Sequence, residues 1–335
     1  MRSSTQITAL SYSVPSTSLT HQQLQDRFGA EKMDRIAEST DIHNRRICAD
    51  KQIGSDLAYA SAEKILNSGD IARDSIDLLI VATQMPDYLL PTTACILQHK
   101  LGLQPTCAAF DINLGCSQFV YAHSVAHAML MAGMAARALV ITFDTPSKII
   151  DPNDMTVVPL FGDGATAVIL DIDHNGNGYQ DFILGTDGSE HEALIWRQSG
   201  LRHAESNKPL TPKPMTMDGQ KVFLFTLQTV PKYIRELLRR NRTEQTDIAF
   251  FALHQASGLI VSSLAKKLKL ETTQYNRIYQ QYGNSGGSTV GISLWHALAE
   301  NKLASGDQII LSAFGVGLSW GNALYQIGDK LPHLY

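Results

Sequence analysis

Three residues in this sequence have types and settings that could do chemistry together: Cys116, His254 and Asn284. Cys116 lies in D-I-N-L-G-C-S-Q-F-V-Y-A-H-S, between a glycine and a small-residue helical pattern that ends at Gly133. A thiol at a helix start meets unpaired backbone N–H groups and the positive end of the macrodipole, which predicts a lowered pKa and a nucleophilic thiolate. A buried free cysteine is also a common small hydrophobe, so the residue alone leaves both readings open. His254 ends an apolar strand in A-L-H-Q-A-S-G-L, at the carboxyl end where α/β folds gather their reactive groups. Packing alone could also place it there. Asn284, in Y-G-N-S-G-G-S-T-V-G, stands between glycines ahead of a helix and could be a turn or capping residue. Taken together, a thiolate that accepts an acyl group and two neutral donors that stabilise an enolate are what thioester chemistry requires. The Gly-rich turn S-A-F-G-V-G-L-S-W-G (312–321) could add backbone N–H groups as an oxyanion hole, or be simply a tight turn.

Elements of α/β type must position these residues. Strand-length apolar runs occur at 76–83, 138–143 and 165–171, and again at 247–254, 308–314 and 321–327. Most are continuous rather than alternating, as in strands covered on both faces. Helical patterns separate them, at 54–67, 92–101 and 258–268 among others. The order of elements repeats, and about 30 residues separate the end of the first strand from the marked residue in each half. This predicts two related α/β halves packed together, 1–175 carrying the cysteine and 176–335 carrying the histidine and asparagine. The Pro- and Lys-rich segment around 185–220 reads as a connecting loop.

Composition sets the class. The chain has 335 residues, 44% hydrophobic and 18% charged, with a net charge of −4. A mildly acidic chain without basic tracts is not expected to bind nucleic acid. No apolar run reaches the roughly 18 residues of a membrane span. The first residues, M-R-S-S-T-Q-I-T-A-L, lack a signal-peptide core, and the four cysteines show no C-x-x-C spacing. A cytoplasmic, thiol-reduced enzyme or binding protein is the expectation, without a metal site.

The motifs in series resemble the β-ketoacyl-acyl-carrier-protein synthase III family of thiolase-like condensing enzymes. The resemblance rests on V-A-T (81–83) with P-T-T-A-C (91–95), A-F-D-I-N-L-G-C-S (109–117) and L-F-G-D-G-A-T-A (160–167). It continues through M-D-G-Q-K-V-F (217–223), H-Q-A-S (254–257), Y-G-N-S-G-G-S (282–288) and A-F-G-V-G-L-S-W-G (313–321). It implies a duplicated thiolase-like fold with a five-layer α-β-α-β-α core, a homodimer, and no cofactor. It implies that Cys116 is acylated by an acyl thioester, acyl-CoA or acyl-acyl-carrier protein, with its tetrahedral oxyanion held by the backbone N–H groups of Cys116 and Val316. His254 and Asn284 would then bind the thioester oxygen of malonyl-acyl-carrier protein during decarboxylation.

Departures from the family pattern carry further expectations. Arg35 and Met155 stand where relatives sandwich the coenzyme A adenine between an aromatic ring and an arginine, and Leu259 replaces an arginine after H-Q-A. A carrier-protein donor is therefore an alternative to coenzyme A. Lys266 and Lys267 are candidate carrier-protein contacts. Leu90, where relatives place a phenylalanine that reaches across the dimer, and Phe314 are candidate acyl-pocket residues. The alternatives to condensation are transfer of the Cys116 acyl group to an alcohol or amine, and a catalytically silent partner subunit. Silence is disfavoured by the intact Cys116–His254–Asn284 set. Thiolase chemistry is disfavoured because none of Cys48, Cys95 or Cys107 lies in a Gly-rich turn that could hold a second catalytic thiol.

Overall fold

The computed structural model describes residues 3–197, 199–200 and 214–335. Fourteen strands and nine α-helices are named among them. The chain begins with β1 (Ser4–Ser13), then a small ribbon of β2 (Ser18–Thr20) and β3 (Asn44–Arg46) enclosing α1 (His21–Phe28) and α2 (Ala30–Thr40). It continues through α3 (Gly54–Leu66), β4 (Leu78–Ala82), α4 (Thr93–Lys100), β5 (Ala108–Ile112), α5 (Gln118–Met131), β6 (Arg137–Asp144) and β7 (Gly164–Asp173). After β8 (Gly178–Thr186) come β9 (Leu194–Ile195), β10 (Thr216–Met217) and α6 (Gly219–Asn241). The remainder is β11 (Ile248–Leu253), α7 (Gly258–Leu268), α8 (Tyr279–Tyr282), α9 (Thr289–Ala299), β12 (Gln308–Gly315), β13 (Ser319–Gln326) and β14 (His333–Leu334).

Two sheets with matching cores follow from this order. The first runs β14-β1-β7-β6-β4-β5 and the second β11-β12-β13-β8. Within the first, β1–β7 and β7–β6 are antiparallel and β6–β4 is parallel. Within the second, β8–β13 and β13–β12 are antiparallel and β12–β11 is parallel. The β1-β7-β6-β4 set is thus repeated, in order and direction, by β8-β13-β12-β11. One of the two strands outside this repeat, β14, returns the C-terminus to the first sheet beside β1.

The apolar faces fix the layers. Strands β4, β6 and β7 are buried on both faces, which is why their sequences read as unbroken apolar runs. One face packs on α3 and α4 through Leu57, Ile65, Leu97, Leu79 and Ile141. The other meets the second sheet across a shared middle layer containing Phe119 and Ala126 of α5 and Val290 and Leu294 of α9. The far face of the second sheet is covered by α6 and α7 through Ile234, Leu237, Val261 and Leu264. This gives five layers, helix–sheet–helix–sheet–helix, a thiolase-like arrangement.

The segment expected to be a plain connecting loop is built instead. A 3-10 turn at Gly188–Ala193 leads into β9, which pairs with β10, and Leu194 and Met215 pack with Val157, Phe161 and Leu318. Apolar residues flank the polar stretch that suggested a loop, and they find a cluster to join. Of that stretch, residues 201–213 lie outside the described residues.

Close approach between the two middle helices sets a sharp steric limit. A Cβ at Gly291 of α9 would stand 2.8 Å from the Phe119 ring of α5 and 2.9 Å from Thr166 of β7. Gly291→Val is expected to destabilise by about 1–3 kcal/mol through overpacking. A lower urea midpoint with an unchanged slope is the result that checks it.

Candidate active site

Cys116 lies in the turn between β5 and α5, buried at 5% exposure. It stands two residues before α5, and the β12–β13 turn comes down against it. Gly315 allows this approach: a Cβ there would sit 2.7 Å from Cys116 Cβ and 2.9 Å from its Sγ. The backbone N–H groups of Val316 and of Cys116 itself both lie against the thiol. Two backbone donors at one thiol could stabilise a tetrahedral oxyanion.

The expectation of a lowered thiol pKa is not met. Burial pushes the Cys116 thiol up to about 12, with the nearby Asp144 charge adding to it, while the Val316 and Cys116 N–H groups pull it down by less. Two backbone N–H groups reach the thiol, its own and that of Val316 in the β12–β13 turn, but desolvation of the buried sulfur outweighs them. Cys116 is therefore a neutral thiol in the resting protein.

His254 follows β11 and is 2% exposed. Its backbone N–H donates to the Ser312 carbonyl of β12 at 2.8 Å, which ties the loop to the sheet. Nδ1 lies 2.6 Å from the Thr289 hydroxyl at the start of α9, and the ring stands edge-on to Phe314 at 5.3 Å. Burial lowers its pKa to about 3, against a smaller opposing effect of the Gly286 carbonyl. The imidazole is neutral across the physiological range.

Asn284 is held by the other half of the chain. Its N–H donates to the Leu160 carbonyl at 2.9 Å, and its own carbonyl accepts from Gly162 N–H at 3.0 Å, a short parallel bridge to L-F-G-D-G. Gly162 is required there, since a Cβ would lie 2.0 Å from the Tyr282 carbonyl oxygen. Asp163 of the same motif accepts from the N–H groups of Cys48 at 2.7 Å and Ser147 at 3.0 Å, anchoring the loop. The side-chain Oδ1 of Asn284 accepts from Gly286 N–H at 3.0 Å, which leaves the Nδ2 amide as a donor.

Cys116, His254, Asn284, Phe314 and Gly315 all line one cavity of about 250 Å³. Cys116 also borders a second cavity of about 620 Å³, together with Val316, Phe161, Met85, Leu194 and Trp196. The sulfur therefore sits where an acyl chain and a thioester arm could approach from separate sides. Leu90 lines neither cavity and is 86% exposed, with Tyr88 and Leu89 also exposed beside it. Lys266 and Lys267 are exposed on the last turn of α7, whereas the smaller cavity is lined by its first turn, at Leu259 and Ile260. Arg35 pairs with Glu31 at 2.6 Å, and Met155 packs with Leu24, Met33 and Val158.

Two further residues are legible only in three dimensions. Asp144, at the end of β6, is fully buried and accepts from Gly287 N–H and Gln118 Nε2, each at 3.0 Å, and from Gln84 N–H at 3.3 Å. It ties the Cys116 helix to the loop after Asn284. Burial raises its pKa to about 7, against those donors. Thr289 is the other, and the polar end of an apolar strand and the start of a helix were their only signals in the sequence.

The geometry is matched by known proteins. Family models described as 3-oxoacyl-[acyl-carrier-protein] synthase III and its C-terminal part match residues 110–188 and 238–327. A beta-ketoacyl-[acyl-carrier-protein] synthase III of Thiobacillus denitrificans is 37% identical over 293 residues, covering 86% of this chain and 89% of that protein. The enzyme of the same name from Xanthomonas campestris pv. campestris is 36% identical over 289 residues, 86% of this chain and 88% of its own. A solved 3-oxoacyl-(acyl-carrier-protein) synthase III superposes with a TM-score of 0.92 at 33% identity, covering 97% of this chain and 100% of the other. A solved 3-oxoacyl-(acyl-carrier protein) synthase from Burkholderia xenovorans gives 0.90 at 30% identity, over 99% and 98% of the two chains. With two thiolase-like halves meeting at a buried cysteine, and relatives of this closeness over most of its length, the chain belongs to the β-ketoacyl-acyl-carrier-protein synthase III family of acyl-transferring condensing enzymes.

Proposed function

We propose that this protein condenses an acyl group carried on Cys116 with malonyl-acyl-carrier protein. The observation that supports it is the convergence of the buried Cys116, His254 and Asn284 on one cavity. In the first step the Cys116 sulfur attacks the acyl thioester carbonyl. The oxyanion rests on the Cys116 and Val316 N–H groups, and the thiol proton leaves with the departing thiol. In the second step the bond from the malonyl α-carbon to its carboxylate breaks. Carbon dioxide leaves, and the electron pair moves toward the thioester oxygen, held by His254 and by Asn284 Nδ2. The enolate carbon then attacks the Cys116 thioester and expels the Cys116 thiolate, which takes up a proton. The product is a β-ketoacyl thioester on the carrier.

Transfer to an alcohol or amine needs a general base. An imidazole held near pKa 3 is a poor base and a good neutral hydrogen-bonding group, which favours condensation. The acyl donor is proposed to ride on a carrier protein rather than coenzyme A, because Arg35 stands where relatives place the aromatic half of the adenine clamp, Met155 where they place its arginine, and Leu259 where they place the arginine after H-Q-A. Lys266 and Lys267 are proposed as carrier contacts. The 620 Å³ cavity, with Phe314 on the opposite side of Cys116, is proposed to receive the acyl chain. A homodimer is proposed, formed through the β5 edge and the exposed Tyr88–Leu90 loop, in which Leu90 reaches the partner's acyl cavity. No helix among the described residues is long and apolar enough to cross a membrane. A cytoplasmic location and a division into halves at 1–175 and 176–335 belong to the same proposal.

Intact-protein mass spectrometry with a panel of acyl thioesters tests the first step: the mass gain is expected in wild type and absent in Cys116→Ala. His254→Ala and Asn284→Ala are expected to keep that gain while losing carbon dioxide release from malonyl-acyl-carrier protein by about 10²–10³-fold, the usual effect of removing one oxyanion donor. Equal loss of both steps would count against the assigned roles.

The raised thiol pKa gives a separate expectation. Since Cys116 stays protonated far above neutrality, its alkylation by iodoacetamide should rise about tenfold per pH unit from pH 7 to 9.5 without a plateau, because only the thiolate reacts. A plateau beginning near pH 7 would show a thiolate already formed.

A further inference from the structure

The proposed condensation needs a hydrogen-bond donor on His254 at the ring nitrogen that meets the substrate oxygen. A neutral imidazole carries one proton, so Nε2 donates only if Nδ1 does not hold it. What stands at Nδ1 therefore decides what His254 can do, and there the structure places the Thr289 hydroxyl at 2.6 Å.

The surroundings of that hydroxyl are closed and countable. Thr289 is fully buried. Its oxygen accepts from the Gln255 backbone N–H at 3.2 Å, so one lone pair is occupied. Its proton has two acceptors in reach, His254 Nδ1 at 2.6 Å and the Gly286 carbonyl at 3.0 Å. The Gly286 carbonyl already accepts from the Thr289 backbone N–H and is not orphaned if the hydroxyl turns away. Directing the proton to Nδ1 leaves every one of these buried groups partnered along the shorter contact. The reverse arrangement, with Nδ1–H donating to the hydroxyl and the hydroxyl to the Gly286 carbonyl, would partner them as well, so the contact length favours the first and the tautomer decides.

We propose that Thr289 is a positioning residue for His254: its hydroxyl donates to Nδ1, holds the ring proton on Nε2, and so makes His254 a donor to the malonyl thioester oxygen. This rests on the condensing reaction proposed above. The same arrangement separates the two chemistries open to the fold. With the proton on Nε2 the ring stabilises an enolate. With the proton on Nδ1, donated to Thr289 or to the Gly286 carbonyl, Nε2 presents a lone pair that would suit transfer to an alcohol or amine instead. Valine at this position would remove the hydroxyl and leave the acceptor-only Gly286 carbonyl beside Nδ1, which selects the second form.

The test compares wild type, Thr289→Val and Thr289→Ser in two separate assays, with folding followed by thermal melting. Thr289→Val is expected to acylate Cys116 within about threefold of wild type but to lose carbon dioxide release from malonyl-acyl-carrier protein by about 10²-fold, the effect of one lost donor. Thr289→Ser, which restores the hydroxyl, is expected to recover most of it. Decarboxylation unchanged in a folded Thr289→Val would overturn the proposal, and so would a serine variant that folds yet recovers nothing. Nitrogen-15 NMR of His254 in the wild-type protein gives a reading that does not depend on any variant folding. A proton on Nε2 supports the assignment, and a proton on Nδ1 overturns it. If wild type releases no carbon dioxide from any malonyl thioester, the condensing reading fails, while the NMR result still decides the tautomer.

Discussion

Desolvation at the start of the two middle helices is the constraint on which the site depends. Helices α5 and α9 lie between the two sheets, so their first turns cannot turn to water for partners. Polar groups there depend on other parts of the protein for their partners. Asp144 collects N–H groups from both halves, the L-F-G-D-G loop pairs with Asn284, and Thr289 caps the ring of His254. The same lack of water moves all three titratable groups toward neutrality: the thiol up, the imidazole down and the Asp144 carboxyl up to about 7. Packing and chemistry are therefore one arrangement. The helices that complete the core also produce the electrostatics of the site.

Duplication explains why the residues meet. Because β4-β6-β7-β1 and β11-β12-β13-β8 share order and direction, the turn ahead of α5 and the turn ahead of α9 occupy corresponding places in the two halves. When the halves pack through those helices, Cys116 from one and Asn284 from the other arrive at a common wall. His254 joins from the carboxyl end of β11, where parallel strands present their loops. Neither half can form the site by itself, since Asn284 is hydrogen-bonded to Leu160 and Gly162 across the junction.

Much of this was legible in the sequence, and the gaps have physical causes. The six strands read from apolar runs are those buried on both faces. Strand β1, S-T-Q-I-T-A-L-S-Y-S, mixes polar and apolar residues, and β8 is partly exposed, so neither shows a continuous run. Helix α6 was not read because Pro231 interrupts its pattern, although the helix continues through it to Asn241. Cys116, His254 and Asn284 could be found because each stands at a strand or helix terminus beside glycine. Their protonation could not, because it depends on how much water the packed helices exclude. Helix-start donors are visible in one dimension, and burial is not. Asp144 and Thr289 were missed for the same reason: each matters through partners far away in the chain or through a ring that only folding brings near.

A neutral, enclosed site has a consequence for the choice between its chemistries. A malonyl group brings its own negative charge into a cavity lined by uncharged side chains, with the Asp144 carboxyl, its pKa raised to about 7, buried nearby. Such a charge is costly to bury without a cationic partner. Loss of carbon dioxide would move that charge from the carboxylate toward the thioester oxygen, the atom proposed to meet His254 and Asn284 Nδ2. On the proposed roles, the site would disfavour the starting carboxylate and favour the charge that develops in the transition state, which is the form of binding that accelerates a reaction. An uncharged alcohol or amine would gain nothing from this arrangement, and the neutral, weakly basic His254 would give it little help.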